Sequence, residues 1–327
     1  MAHPHAMAIP FAAGITASVF PAPATAIRTN DPVAVAGIRG FARYQAAAAR
    51  TIAAMVLGVT APATERLIEG ALNAATTWRY RVAEQSGETE LPRYRMPLTM
   101  ARYRRIGYVG KAREGATWHA PTGTYFGGLA TPAHHTLGLF GRYAVNRFAE
   151  AESCRDTLRN QLVLGNGSVI AGGALLRRSA AADVADLVRR SAALRGETGE
   201  PETGGNAMYA VSAPPADSET INRAATTALA DALNAAADND IDTASRLWAF
   251  GAYCLYQAPR TARGSDAACR VALAALGAIA LRRIPWLPHD IDLRAQVLEQ
   301  TVFVEQLIAT HHRESPATTG AAPRDDK

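Results

Sequence analysis

Cysteine, lysine and aromatic residues are scarce in this chain of 327 residues. The three cysteines, Cys154, Cys254 and Cys269, are odd in number and lack CxxC spacing, which argues against a disulfide framework and a four-cysteine zinc site. Lysine occurs twice against 32 arginines, a skew that we attribute to a GC-rich bacterial genome rather than to chemistry. Because the apolar runs are too short to cross a bilayer, the sequence predicts no transmembrane helix.

Apolar residues nevertheless make up 48% of the chain, enough for a sizeable core. Alanine alone accounts for 70 residues, and it is the best helix former and a poor strand former. Composition therefore predicts a mainly helical protein. The net charge of +5 permits an acidic or phosphorylated partner without requiring one.

The two ends of the chain differ from its middle. Residues 1–27 contain no Lys, Arg, Asp or Glu and are interrupted by prolines, so residues 1–32 are interpreted as a flexible leader. A cleaved secretory signal is the alternative, although a positively charged start is missing. The interpretation is a secreted effector or a cytoplasmic protein. Residues 313–327 are predicted to form a disordered tail.

Between these ends, residues 33–312 are predicted to form a helical core domain with an exposed loop at 196–218, which is rich in Gly, Pro and Glu. Periodic apolar residues and capping residues predict the helices. They are expected at 33–59, from 64 onward, and at 132–152, 156–164, 174–194, 219–236, 242–256, 266–283 and 292–310. A glycine-rich turn is predicted at 165–173.

One stretch stands apart from this helical pattern. Between residues 93 and 123, basic residues alternate with aromatic and aliphatic ones, and Gly107, Gly110 and Gly115 are turn candidates. This pattern predicts a β-hairpin at 100–122. Its arginines and tyrosines would suit nucleic acid, but the footprint is small and the chain is only mildly basic, so nucleic acid is disfavoured as a partner.

The segment 255–270, LYQAPRTARGSDAACR, predicts a helix end, a loop and a new helix start. Ser265 has the side chain of an N-cap residue, and Asp266 in the first turn complements the helix dipole. Free backbone N–H groups and nearby arginines at such a junction would hold a phosphate. The alternative is an ordinary helix start with solvated arginines.

These residues resemble the Fic/Doc (Fido) superfamily. The stretch RLWAFGAYCLY at 246–256 resembles the helix before the Fic loop, and RGSDAACR places Gly264 and Arg270 on the first glycine and last arginine of D/E-G-N-G/K-R-x-x-R. Residues 102–121 resemble the family's flap, a β-hairpin that holds a target by strand addition. The resemblance implies a mainly α, Fido-like bundle with one β-hairpin.

The resemblance also implies an activity. The protein would be a transferase or effector that modifies a protein target with a nucleotide-type donor and Mg²⁺. Phosphates would be held by Arg263, Gly264, Ser265 and Arg270. The flap residues toward the target would be Arg102, Arg104, Tyr108 and Trp118. Glu69, in a stretch that resembles the inhibitory-helix motif, would clamp an arginine.

The family's catalytic residues are incompletely matched here. The general base of the family is the histidine of HPF, whereas this chain has Ala258-Pro259-Arg260. His119 and Asp266 are the remaining candidate bases, so standard AMP transfer is not expected. The position of the metal-binding acid falls at Arg263, or at Ala262 with a slip of one residue, and no HExxH spacing occurs, so no metal ligand is predicted. The alternative function is a helical binding or scaffold protein without catalysis, a pseudoenzyme.

Overall fold

The computed structural model describes residues 10–98, 113–119, 121–122, 124–151, 155–194 and 208–312. Three predicted flap residues, Arg102, Arg104 and Tyr108, lie outside the described residues. So do the predicted tail at 313–327 and residues 196–207 of the predicted loop.

The described chain is mainly helical, as composition predicts. The helices are α1 (Pro32–Leu57), α2 (Glu65–Gln85), α3 (Pro132–Glu150), α4 (Ala182–Leu194), α5 (Pro215–Ala237), α6 (Ile241–Gln257), α7 (Ser265–Ala280), α8 (Ile291–Val297) and α9 (Gln300–His312). Side chains of Asp31, Thr64 and Thr131 accept hydrogen bonds from the first-turn amides of α1, α2 and α3. None of the helices in these ranges has the length and hydrophobicity that crossing a bilayer requires.

Helix α7 forms the centre of the core. Its residues from Ala268 to Ala280 are all buried, and it packs against α1, α2, α5 and α6. A helix that is apolar on every side is stable only when it is surrounded in this way. Trp248 of α6 donates a hydrogen bond from Nε1 to the Leu273 carbonyl at 3.1 Å, which ties α6 to this central helix.

The free thiols of Cys254 and Cys269 lie in this core. Burial raises the pKa of the Cys254 thiol well above its usual range. These cysteines therefore act as small apolar side chains rather than as nucleophiles.

A three-stranded antiparallel sheet lies where two helical segments and a glycine turn were predicted. Strands β5 (Thr157–Val163), β6 (Val169–Leu176) and β7 (Tyr209–Val211) pair in that order. The helix predicted at 156–164 is therefore wrong, as is the helical start at 174. In β5, buried and exposed residues alternate with a period of two, which is the pattern of a half-buried strand.

The glycine-rich turn is shorter than predicted, because Gly172 and Gly173 belong to β6. A Cβ on Gly172 would lie 2.7 Å from Gln257 Oε1, and one on Gly173 would lie 2.7 Å from the Val211 carbonyl. These glycines allow close approach of neighbouring groups rather than a turn. Part of the loop predicted at 196–218 is likewise ordered as β7 and the start of α5.

A second β element contains the part of the predicted hairpin that the structure describes. Strand β2 (Thr117–His119) pairs with β3 (Thr124–Phe126), and β1 (Arg113–Glu114) pairs with β4 (Leu129–Ala130). The ribbon thus runs to residue 130, and the predicted end at 122 falls within its turn.

The boundary predicted between a flexible leader and the core at residue 32 also needs correction. Ile15, Phe20 and Ile27 are buried, and Arg50 donates a hydrogen bond to the Ile15 carbonyl at 2.6 Å. Residues 10–31 are thus part of the packed structure, because their apolar side chains cover the core.

The helix predicted at 292–310 is divided into α8 and α9 by an extended residue, Leu298. The carbonyls at the break are satisfied by side chains from other elements. Tyr253 donates to the Leu298 carbonyl at 3.0 Å, and Arg147 donates to the Val297 carbonyl at 2.6 Å.

Candidate functional site

The predicted phosphate site corresponds to the loop between α6 and α7, at residues 258–264. Gly264 has φ +77° and is the N-cap of α7, so Ser265 is the first helical residue rather than the cap. The Ser265 hydroxyl accepts a hydrogen bond from the Thr261 amide at 3.2 Å and donates one to the Thr261 carbonyl at 2.7 Å. The Gly264 conformation is what permits this tight turn, because left-handed φ values favour glycine.

Backbone N–H groups of this loop are already paired with a neighbouring segment. The Ala262 amide donates to the Met96 carbonyl at 2.9 Å, and the Arg263 amide donates to the Arg93 carbonyl at 3.1 Å. Pro97 and Thr261 form an antiparallel bridge between the same two segments. The amides of Ala262 and Arg263 are therefore not free to hold a phosphate.

Two arginines of the loop are held by carboxylates. Arg260 donates from Nη1 and Nη2 to the two carboxylate oxygens of Glu69, at 3.0 and 2.7 Å. Arg263 pairs with Glu90 and, at 3.2 Å, with Glu88. Burial lowers the pKa of Arg263, but Tyr94 and these carboxylates outweigh it and hold the pKa above its ordinary value.

Arg270 lies inside the protein rather than in the loop's solvent-facing surface. It is 1% exposed, and its Nε donates to both oxygens of Asp266 at 2.9 and 3.0 Å. Its Nη1 and Nη2 donate to the carbonyls of Pro288 and His289. The predicted role of Arg270 as a phosphate ligand is therefore corrected, because its donors are committed to protein acceptors.

Asp266, a candidate base, is committed in the same cluster. Besides the contact with Arg270, it accepts a hydrogen bond from the Tyr256 hydroxyl at 3.2 Å. Burial raises the pKa of Tyr256, and the neighbouring Asp266 charge raises it further. Burial alone would lower the pKa of Arg270, but the Asp266 carboxylate holds it above its ordinary value. In this cluster the buried Arg270 pairs with the partly exposed Asp266 and joins α7 to the segment before α8.

The junction is filled. The cavity that adjoins it, between α2, the loop and α7, has a volume of about 10 Å³. Gly264 lies against the Tyr94 ring, which in turn lies under the Arg79 guanidinium at 4.5 Å. A ligand pocket is larger by more than an order of magnitude, at about 300–1,000 Å³.

The other described site candidates lie in the β2–β3 ribbon. The His119 Nδ1 is 2.8 Å from the Thr122 hydroxyl, and its ring meets the edge of Phe126 at 5.4 Å. The Trp118 ring packs on Tyr125 at 5.2 Å. These contacts lie within the ribbon, and the structure brings together Asp266 with Arg270 but not His119 with either of them.

Among the residues with assigned positions, no group of three or more His, Cys, Asp or Glu side chains could hold a metal ion.

A large groove, which the sequence analysis did not predict, lies among the helices. It has a volume of about 1270 Å³ and lies between α5, α6, α9 and the turn after β5. We call this surface the α5–α6–α9 groove. Its floor is formed by the apolar side chains of Ala224, Ala228, Leu247, Phe250, Val304 and Ile308.

The rim of the α5–α6–α9 groove is charged. It carries the carboxylates of Asp231, Asp242 and Glu305 and the guanidinium groups of Arg223 and Arg246. Arg223 is engaged by Glu219 on its own helix at 3.2 Å. An apolar floor with a few polar groups around it is the usual lining of a binding site.

One signal in the sequence could have indicated this groove. In α9, Phe303 and Leu307 are buried, whereas the neighbouring Val304 and Ile308 are partly exposed and face the groove. The apolar residues of α9 thus cover more than the one stripe that core packing requires. That excess is visible in the residue order, but only the fold shows which neighbours it faces.

No protein-family model matches this chain, and no curated protein matches it either. The similarity to the Fido superfamily therefore rests on the residues quoted above.

Proposed function

We propose that this chain is a helical binding protein whose ligand site is the α5–α6–α9 groove. On this proposal the α6–α7 loop is a structural joint rather than a catalytic centre. The observation that carries the proposal is the difference in cavity volume, which is about 1270 Å³ in the groove and about 10 Å³ at the junction.

The chemistry of the groove supports binding rather than catalysis. Its described lining contains aliphatic and aromatic side chains, hydroxyls, carboxylates and arginines, but no histidine or cysteine. Histidine is the most frequent general acid or base in enzymes, and cysteine is the most reactive of the common nucleophiles near neutral pH. An apolar floor instead favours a ligand that buries apolar surface, at roughly 25 cal/mol per Å².

The proposal can be tested with an uncharged apolar fluorescent probe, N-phenyl-1-naphthylamine. The groove variant replaces Ala224 and Ala309 by glutamate, and both alanines line the groove and are at least partly exposed. The matched control replaces Ala47 and Ala54, exposed alanines of α1, by glutamate. We expect the groove variant to bind the probe at least about fivefold more weakly than wild type and the control to bind it as wild type does.

A thermal-shift screen of nucleotides and nucleotide sugars with Mg²⁺ tests whether a phosphate binds at the junction instead. We expect no nucleotide or nucleotide sugar to raise the melting temperature of the wild-type protein. A rise that disappears in Arg263→Ala would contradict the proposal, because it would place a phosphate at the junction.

The Glu69–Arg260 pair favours a second candidate function. In the Fido superfamily a glutamate of an inhibitory helix clamps an arginine, and here a glutamate of α2 holds an arginine of the corresponding loop. We propose as the second candidate a Fido-like transferase or effector, with a nucleotide-type donor, Mg²⁺ and a protein target, whose Arg260 is restrained by Glu69.

This second candidate makes its own prediction. Glu69→Ala would release Arg260 and create nucleotide binding that the wild-type protein lacks. The double variant Glu69→Ala with Arg260→Ala would lose that binding again. If Glu69→Ala shows no nucleotide-induced thermal shift, the second candidate is rejected.

A further inference from the structure

The α5–α6–α9 groove also indicates what kind of ligand it holds. We infer that it binds an amphipathic α-helix of about eleven residues, with basic residues beside its apolar face, from a protein partner. This inference rests on the proposed function, since it names the ligand of the same groove.

The dimensions of the groove match one helix. Its lining on α5 runs from Thr220 to Asp231, which is about 16 Å at 1.5 Å per residue. The groove volume of about 1270 Å³ spread over that length gives a cross-section of about 80 Å². A cylinder of that section is about 10 Å wide, which is the width of an α-helix with its side chains. Three turns, or about eleven residues, fill the length.

The distribution of side chains also suits a helix. Ala224 and Ala228 of α5 have small side chains, so this part of the floor permits close approach of a helix backbone. Phe250 of α6 and Val304 of α9 face the same space and offer larger contacts. A helix laid into such a groove inserts side chains at positions i, i+3, i+4 and i+7.

The charges on the rim of the groove indicate which sign of charge the partner carries. Asp231, Asp242 and Glu305 are exposed and form no ion pair within the described ranges. Arg223 is engaged by Glu219, which leaves Arg246 as the rim cation without an ion pair in the described chain. The unpaired charge of the rim is therefore negative, and it favours lysines or arginines on the flanks of the bound helix.

The same charges argue against other occupants. A fatty acid or another apolar anion would place its negative charge among the carboxylates of the rim, which would repel it. An uncharged apolar compound would offer no positive charge to the three rim carboxylates.

The inference can be tested with a fluorescein-labelled 14-residue peptide that has leucines at helical i, i+3, i+4 and i+7 spacing and lysines on both flanks. A second peptide replaces the lysines by glutamates, and a third has a central proline that prevents helix formation. Fluorescence anisotropy with the full chain measures the affinities. We expect the lysine peptide to bind at least about tenfold more tightly than either of the others.

Isosteric variants then test whether the rim carboxylates contribute to the affinity for the peptide. Asp231→Asn, Asp242→Asn and Glu305→Gln together should weaken the lysine peptide about tenfold, since each exposed charge contributes about two- to threefold. The matched control removes three other exposed carboxylates and is made of Glu84→Gln, Glu150→Gln and Asp238→Asn. It changes the net charge equally and should leave the affinity unchanged.

Several outcomes would overturn the inference. Equal binding of the proline peptide would show that the groove does not select a helix, and equal binding of the glutamate peptide would remove the role of the rim charges. Sedimentation of the chain alone as a dimer that the groove variant dissociates would show a second copy in the groove. If N-phenyl-1-naphthylamine binds the groove but the lysine peptide does not, only the inference fails. If neither binds there, the proposed function fails as well.

Discussion

Glu69 of α2 and Arg260 of the α6–α7 loop form a two-point ion pair, with Nη to Oε distances of 3.0 and 2.7 Å. Asn73, one turn further along α2, accepts a third hydrogen bond from Arg260 at 3.3 Å. Together with the pairing of Arg263, this contact fixes the loop to the α2 side of the protein. The loop is therefore held by side chains from outside its own helix pair.

The first prediction concerns this pair. Glu69→Ala should lower the free energy of unfolding by about 1 kcal/mol, because a two-point arginine–carboxylate pair at a partly exposed site lies at the upper end of surface ion pairs. Chemical denaturation measures the change. Glu84→Ala, at an exposed position of the same helix, should change stability by less than about 0.5 kcal/mol. Equal effects of the two variants would show that the pair contributes nothing.

Crowding at the helix start gives the second prediction. A Cβ on Gly264 would lie 2.7 Å from the Tyr94 ring, in addition to the strain of φ +77°. Gly264→Ala should therefore destabilise the protein by about 3 kcal/mol. Gly167 has φ +80° but nothing within 4 Å of its Cβ position, so Gly167→Ala should cost only about 1 kcal/mol. Similar losses in the two variants would mean that the junction is looser than described.

The third prediction follows from the burial of Arg270. Arg270→Ala should destabilise the protein by about 3–5 kcal/mol, because it leaves Asp266 and two carbonyls without their donor. Arg246→Ala, at an exposed position on the rim of the groove, should leave stability within about 0.5 kcal/mol of wild type. Thermal unfolding followed by circular dichroism compares them. A fully stable Arg270→Ala protein would contradict the structural role that we assign to this arginine.

Acid should weaken the contact between Glu90 and Arg263. Burial raises the pKa of Glu90, but Arg93 and Arg263 outweigh it and hold the pKa below its ordinary value of 4.5. A carboxyl with a lowered pKa contributes stability that is complete above its unfolded value and is lost as the pH falls through the folded value. The difference in stability between wild type and Glu90→Gln should therefore be constant above about pH 5.5 and shrink below about pH 4.5. A difference that does not change with pH would show that the contact is not ionic.

The helical part of the fold could be predicted because it depends on local patterns. The alanine content, the caps at Asp31 and Thr64 and the apolar spacing of α5 and α6 are all present in the residue order. The sheet could not be predicted in the same way. Burial in strand β5 alternates with a period of two. Its leucines and its Asn160 are buried, however, only because residues distant in the sequence pack around them. Asn160 donates to Gln257 at 3.2 Å, a contact between residues that are 97 positions apart.

The candidate site illustrates the same limit more strongly. Residue types alone predicted Arg263 and Arg270 as ligands of a phosphate, because arginines beside a helix start suit that role. Which acceptor an arginine meets is decided by tertiary packing, and here the acceptors are Glu88, Glu90 and Asp266. The α5–α6–α9 groove is formed by helices that meet only in the folded chain, so no local pattern defines it.

Hydrogen–deuterium exchange shows directly whether a ligand binds in the α5–α6–α9 groove. The chain is measured with and without the probe that gives the largest rise in melting temperature, chosen from the peptides, the apolar dye and the nucleotides with Mg²⁺. We predict slower exchange of backbone amides at 220–231 and 300–309, which line the α5–α6–α9 groove. Slower exchange confined to 93–98 and 258–266 would contradict it, because the ligand would then occupy the junction between α6 and α7.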